Sequence, residues 1–204
     1  MTVFNRAGRQ AAMAVAAAIL GAGALAGCGG SSPPINSGYQ VSAEDIDDYI
    51  AEASDRFNLP EPWIREIMRV ESGGQQYLNG RPITSSAGAM GLMQVMPATY
   101  EELRRRHDLG SDPYDPRNNI LAGTAYLREM YDLFGSPGFL AAYNAGPGRY
   151  AQFVAEGRPL PMETQRYVDL IYPRIAGHVP DGEVYARTEV PSATHRPIRL
   201  TRAD

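Results

Sequence analysis

Apolar residues recur along much of the chain at the three- and four-residue spacing of amphipathic helices. The first such segment starts with the capping-type sequence at Ser42 and ends before Pro60. A second opens at Pro62, since proline is favoured in the first helical turn, and stops at the pair 73–74 of glycines. Five further helices are predicted, each bounded by proline, glycine or an acidic cap: residues 97–107, 116–134 and 138–144, one after Pro147 and one after Pro161.

Strand patterns are weak by comparison. No run of strand length alternates convincingly and there is no internal repeat, although Asn79-Gly80 in the glycine-rich loop 73–91 is typical of a hairpin turn. We therefore predict an all-α domain of about seven helices over residues 43–177, which is long enough to bury a core. The proline-rich polar residues 178–204 predict a poorly ordered C-terminal tail.

The N-terminal segment has the pattern of a secretion signal. Arg6 and Arg9 precede an apolar run, residues 11–27, that is short for a membrane span and ends in small residues. The tetrapeptide ending at Cys28 resembles the bacterial lipobox, in which the cysteine is acylated and becomes the mature N-terminus. The alternative is an ordinary signal peptide with an incidental cysteine.

The lipobox resemblance predicts cleavage directly before Cys28. Residues 1–27 would then be a signal peptide, and residues 28–42 the lipidated Cys28 with a flexible tether. Several acyl chains would hold the protein on a membrane without a spanning helix. Gly29 stands where many inner-membrane lipoproteins have aspartate, and this resemblance favours the periplasmic face of the outer membrane.

Composition excludes several classes of protein. The 204 residues are 44% hydrophobic and carry a net charge of −4, with one dense basic run at 104–106, so a nucleic-acid binder is disfavoured. The single cysteine excludes an internal disulfide and a multi-thiolate metal site. His107, His178 and His195 lack ligand spacing, so neither a metal nor another cofactor is predicted.

Glu71 is the candidate catalytic group. Together with Ile64, Ile67 and Met68 it follows the spacing of the apolar stripe on the second helix. Burial raises the pKa of a carboxyl group, and an acid that stays protonated near neutral pH can protonate a leaving group. The spacing by itself favours a plainer alternative, a frayed helix end at which Glu71 turns to water.

Four short motifs occur along the chain in the same order as in a known family. Residues 71–72 (Glu-Ser), 86–97, 142–146 and 163–168 resemble the catalytic domain of the soluble lytic transglycosylase family, whose fold is similar to goose-type lysozyme. The resemblance covers roughly residues 57–176 and implies a lysozyme-like helical domain with a substrate groove. The loop 75–84 is longer than the family pattern, which leaves the shape of the groove's rim open.

The resemblance also implies roles for residues. Glu71 becomes the sole catalytic acid and base, with Ser72 as its partner at the helix end. Tyr143 and Asn144 are implied to lie beside Glu71, and the full set of implied substrate-binding residues is Ser72, Ser86, Gln94, Met96, Tyr143, Asn144, Glu163 and Tyr167. From the residues alone, each could instead be an ordinary cap, turn, core or helix-dipole residue.

The function implied is that of a peptidoglycan lytic transglycosylase. It would cleave the bond between N-acetylmuramic acid and N-acetylglucosamine and form a 1,6-anhydromuramyl product, with glycan strands and the membrane as its partners and without a cofactor. One catalytic carboxyl suffices because no water is activated, whereas most glycosidases use two. Two alternatives stay open: a lysozyme-like hydrolase in which another acid such as Glu163 activates water, and a non-catalytic wall-binding lipoprotein.

Overall fold

The structure is a computed structural model that describes residues 41–181. The predicted signal peptide, Cys28 and most of the tether precede the described residues, and the predicted tail lies outside them from residue 182 onward.

Seven α-helices account for most of the described part of the chain, which confirms the all-α prediction. They are α1 (Ala43–Phe57), α2 (Glu61–Ser72), α3 (Pro97–Arg106), α4 (Pro116–Phe134), α5 (Gly138–Ala145), α6 (Pro147–Glu156) and α7 (Met162–Ile175). A two-stranded antiparallel hairpin, β1 (Tyr77–Leu78) and β2 (Arg81–Pro82), lies between α2 and α3. None of the helices between residues 41 and 181 is long and apolar enough to cross a membrane.

Local capping explains where these helices begin and end. Ser42 and Asp45 form a capping box at the start of α1. At the start of α4 the Asp115 carboxylate accepts a hydrogen bond of 2.8 Å from the backbone N–H of Asn118. Asn58 after α1 and Gly73 after α2 adopt the left-handed conformation that ends a helix. These signals lie within a few residues of the boundary that they set, so sequence patterns could identify them.

The helices share one core around α4. This helix packs against α1, α3 and α5, while α7 packs against α2 and α5. Trp63 of α2 is 2% exposed; its ring stacks on Phe139 of α5 with centroids 4.6 Å apart, and its indole N–H donates to the Ile175 carbonyl of α7 over 3.3 Å. Trp63 therefore joins three of the helices that surround the candidate site.

The loop between α2 and α3 forms a second layer over α4. The hairpin turns at Asn79 and Gly80, both at positive φ, as the dipeptide predicted. The chain then bridges Thr84 to Met90 and Met90 to Val95, and the second bridge closes a tight turn over residues 90–95. We call residues 90–95 the Met90–Val95 turn.

Candidate active site

Glu71 lies in the last turn of α2 and continues the buried stripe formed by Trp63, Ile64, Ile67 and Met68. The helix runs regularly to Ser72, and Glu71 is only partly exposed. Its Oε1 accepts a hydrogen bond of 2.7 Å from the hydroxyl group of Tyr167 on α7. Glu71 thus lies inside the helix and contacts α7, in contrast to the frayed end that its spacing alone favours.

Burial raises the pKa of Glu71 to about 7. The hydrogen bond from Tyr167 acts in the opposite direction and lowers this pKa, while the negative charge of Glu163 raises it further. Near neutral pH the protonated and ionised forms of Glu71 are therefore both populated. Because Oε1 accepts the bond from Tyr167, the acidic proton belongs on Oε2, which Tyr167 does not occupy.

Two buried tyrosines accompany Glu71. Burial and the neighbouring charge of Glu71 raise the pKa of Tyr143 and of Tyr167 well above the ordinary value, so both phenols remain neutral donors. The hydroxyl of Tyr143 donates to the Met93 carbonyl over 2.8 Å, and its ring lies 5.3 Å from the ring of Tyr126. Tyr167 is thus the residue bonded to Glu71, whereas the Tyr143 hydroxyl bonds to the Met90–Val95 turn.

Three predicted residues lie on the segment that contains the Met90–Val95 turn. Gln94 has a φ of 48°, is partly exposed and donates from Nε2 to the Gly91 carbonyl over 2.7 Å. Ser86 is exposed, and the Met96 side chain is 41% exposed directly before α3. These three side chains are therefore accessible to a ligand.

The remaining predicted residues differ in their contacts. Asn144 Oδ1 accepts from Thr164 over 2.8 Å, and within residues 41–181 its Nδ2 has no hydrogen-bond partner. Glu163 is exposed in the first turn of α7, four residues before Tyr167 on the same face. The Ser72 hydroxyl donates to the Met68 carbonyl over 3.1 Å, so it caps the end of α2 and has no hydrogen bond to Glu71.

Sequence reasoning missed Asn119, a fully buried residue of α4 that bonds to the Met90–Val95 turn. A signal was present, because Asn119, Gly123, Tyr126 and Met130 follow helical spacing and include two polar side chains on the buried stripe. The described residues hold no group of three or more His, Cys, Asp or Glu side chains that could bind a metal ion.

The helical fold, with Glu71 at the end of α2 bonded to Tyr167 of α7, defines a lysozyme-like helical domain. The chain belongs to the transglycosylase SLT domain family, because the model of that family matches residues 48–159, more than half of the sequence.

Three similar proteins illustrate the relationship. The transglycosylase of Enterobacteria phage PRD1 is 36% identical over 124 residues, which are 60% of this chain and 43% of the phage protein. The membrane-bound lytic murein transglycosylase C of Haemophilus influenzae (strain PittEE) is 33% identical over 133 residues, 58% of this chain and 36% of that protein. The structure of an inactive mutant of the lytic transglycosylase Slt from Pseudomonas aeruginosa matches with a TM-score of 0.54 and 30% identity, over 61% of this chain and 22% of that one. The chain thus spans less than half the length of the relatives that it matches.

Proposed function

We propose that this protein is a peptidoglycan lytic transglycosylase with Glu71 as its catalytic acid and base, in a catalytic domain over residues 43–177. The observation that carries the proposal is the partly buried Glu71 carboxyl, whose Oε1 accepts from Tyr167 over 2.7 Å and whose pKa is raised to about 7. Family membership and relatives that are named lytic murein transglycosylases support the same reaction and the same substrate.

In the first step Glu71 acts as the acid. Its Oε2 proton passes to the oxygen between N-acetylmuramic acid and N-acetylglucosamine, the bond from the anomeric carbon to that oxygen breaks, and N-acetylglucosamine leaves with a free 4-hydroxyl group. The substrate's own N-acetyl group shields the positive charge that develops on the anomeric carbon. Glu71 is then ionised, and the Tyr167 hydroxyl stabilises that charge.

In the second step Glu71 acts as the base. It removes the proton of the muramyl 6-hydroxyl, whose oxygen bonds to the anomeric carbon and gives the 1,6-anhydro ring. Glu71 is protonated again, and no water is consumed. One carboxyl therefore serves both steps, whereas a glycosidase that uses water generally needs two.

We propose that the substrate is held by accessible side chains around Glu71. The Nδ2 of Asn144, which has no hydrogen-bond partner within residues 41–181, suits a sugar carbonyl, and Gln94, Ser86 and Met96 are accessible on one segment. The negative charge of Glu163 would raise the pKa of Glu71, and Ser72 would hold the last turn of α2, in which Glu71 lies.

The proposed reaction is tested by mass spectrometry of peptidoglycan digested with the purified protein. A lytic transglycosylase yields anhydromuramyl ends, which are lighter by one water, about 18 Da, than the reducing ends of a hydrolase, because O6 replaces water as the nucleophile. Glu71→Gln should lower the rate by about 10²–10⁴-fold or more. The control is Glu156→Gln, an exposed carboxyl on α6, which should leave the rate unchanged. Reducing ends, or full activity of Glu71→Gln, would contradict the proposal.

We also propose that the protein is a periplasmic lipoprotein, anchored through Cys28 to the outer membrane. The lipobox resemblance at residues 25–28 and a membrane-bound relative support this location. Growth with radioactive palmitate should label the protein, and Cys28→Ala should abolish the label because the acylated thiol is gone. Labelling that persists in Cys28→Ala, or that is absent from the wild type, would overturn the anchor.

A further inference from the structure

The Met90–Val95 turn is held by two side chains that bond to the backbone N–H and the carbonyl of the same residue, Met93. The Met93 N–H donates to Asn119 Oδ1 over 2.7 Å, and the Met93 carbonyl accepts from the Tyr143 hydroxyl over 2.8 Å. Helices α4 and α5 thus both fix the backbone directly before Gln94.

The buried side chain of Asn119 bonds to backbone groups of this turn and of the loop before α4. It is 0% exposed, and its Nδ2 donates to the Met90 carbonyl over 2.9 Å and to the Pro113 carbonyl over 2.8 Å. One buried amide therefore bonds to two residues of the turn, Met90 and Met93, and to the loop before α4. Such a group is costly to bury unless all of these bonds form, so its position is tightly constrained.

The fit between the turn and α4 leaves no free space. A Cβ atom at Gly91 would lie 2.5 Å from Asn119 Nδ2, and one at Gly123, a helical turn along α4, would lie 2.4 Å from Met93 Cβ. Gln94 itself adopts a φ of 48°, which a non-glycine residue keeps only when its neighbours hold it.

We propose that Asn119 is a positioning residue for the substrate groove. It fixes the Met90–Val95 turn and thereby the side chain of Gln94, and both Asn119 and Tyr143 of α5 bond to the Met93 backbone. Asn119 is buried and touches no ligand. The inference rests on the proposed function, in which Gln94 holds the sugar beside the bond that is cleaved.

The test is a double-mutant cycle between Asn119 and Gln94. Asn119→Asp keeps the acceptor for the Met93 N–H but replaces the amide donor by an oxygen that faces two carbonyls. On soluble glycan strands it should lower kcat/KM by roughly 10- to 100-fold, as a displacement of about 1 Å would. In a Gln94→Ala background the same substitution should cost less than about 3-fold, because the side chain that it positions is absent.

A matched control is available in the neighbouring residue. Asn118 also bonds through Oδ1 to a backbone N–H, that of Gly110 over 3.1 Å, but this loop does not carry a groove residue. Asn118→Asp should leave kcat/KM within about 2-fold of the wild type in both backgrounds. Equal losses from Asn119→Asp with and without Gln94, or no loss at all, would overturn the positioning role.

A second variant covers the case in which Asn119→Asp does not fold. Gly123→Ala suits a helix interior, yet its new Cβ would push against Met93 and displace the turn without removing a hydrogen bond. Gly123→Ala should likewise lower kcat/KM more in the wild type than in the Gln94→Ala background. Equal losses of kcat/KM in the two backgrounds would contradict the inference.

A measurement that is independent of turnover separates the inference from the proposed function. Amide hydrogen exchange by NMR should become faster at Met93 and Val95 in whichever variant folds, and stay unchanged in the interior of α7. If the wild type forms no anhydro product, the proposed function fails, and the cycle is repeated with calorimetric affinity for a soluble N-acetylglucosamine oligosaccharide. Additive losses of affinity, or unchanged exchange at Met93, then overturn the inference by itself.

Discussion

At the scale of single residues, Glu71 has a carboxyl whose ionisation opposes folding. Its pKa is about 7 in the folded protein against an ordinary value of 4.5, because burial outweighs the hydrogen bond from Tyr167. The folded state therefore binds more protons than the unfolded state between these two values. The contribution of the protonated Glu71 carboxyl to stability is complete below pH 4.5 and is lost as the pH rises through about 7.

Glu71→Gln should consequently stabilise the protein in a pH-dependent way. The neutral amide removes the cost of a buried charge, so the variant's free energy of unfolding relative to wild type should rise by roughly 2–3 kcal/mol between pH 4 and pH 8. Urea denaturation at the two pH values measures this difference. Glu156→Gln, which changes an exposed carboxyl on α6, is the matched control for the substitution itself. A Glu71→Gln difference that is the same at both pH values would contradict the raised pKa.

The pH dependence of catalysis provides a second prediction for the same group. The acid step needs protonated Glu71, so kcat/KM should fall above pH about 7. Tyr167→Phe removes the bond that lowers the pKa and should move this alkaline limb to higher pH, while Glu163→Gln removes a nearby negative charge and should move it to lower pH. Shifts in the reverse directions would show that another group controls the limb.

At the scale of elements, the first turn of α4 combines a helix cap with a side chain that bonds to the Met90–Val95 turn. The Asp115 carboxylate caps this helix by accepting from the backbone N–H of Asn118. The side chain of the next residue, Asn119, bonds to the Met90–Val95 turn. The start of α4 is thus linked by hydrogen bonds to the turn that carries Gln94.

Asp115→Ala should therefore lower the free energy of unfolding by about 1 kcal/mol, within a range of roughly 0.5–2 kcal/mol, because an amide in the first turn loses its acceptor. Urea denaturation at pH 7 measures the change. Asp55→Ala removes an exposed carboxylate of α1 that caps no helix and should change stability by less than about 0.5 kcal/mol. Equal effects of the two substitutions would contradict a capping role for Asp115.

The elements themselves were predictable to a large extent. Proline, glycine and cap residues act within one turn of a helix end, and the predicted helices agree with α1 to α7 to within a few residues. The hairpin at Asn79-Gly80 followed from the same local preference for positive φ. The φ of 48° at Gln94 was not predictable, since glutamine has no such preference and the contacts of the Met90–Val95 turn impose it.

At the scale of the whole molecule, the described helices share a single core, and Trp63 connects α2, α5 and α7 within it. Trp63 is the only tryptophan in the chain, so its fluorescence reports on the region where these helices meet. Fluorescence and far-ultraviolet circular dichroism should give coincident denaturation curves, as expected for one cooperative unit. Separate transitions would mean that the helices around Glu71 unfold independently of the rest.

Phe139→Leu offers a sharper measurement of that core. It removes the ring that stacks on Trp63 at 4.6 Å and leaves a smaller buried side chain, which should cost about 1–3 kcal/mol of stability. Leu133→Ala on α4 is the control, because Leu133 is 65% exposed and should cost much less. A cost of Phe139→Leu no larger than that control would show that the stack of Phe139 on Trp63 adds little to the core.

The sequence by itself determined the helices, because their ends depend on residue types a few positions apart. It singled out Glu71 through four motifs that resemble a known family, since the local spacing alone favoured a frayed helix end. It could not determine which phenol bonds to Glu71. Tyr143 was expected beside it, but Tyr167, 96 residues away along the chain, makes the bond because α2 and α7 pack together. The raised pKa of Glu71 and the bonds of Asn119 likewise arise only from packing, because desolvation and hydrogen bonding depend on neighbours in space rather than in sequence.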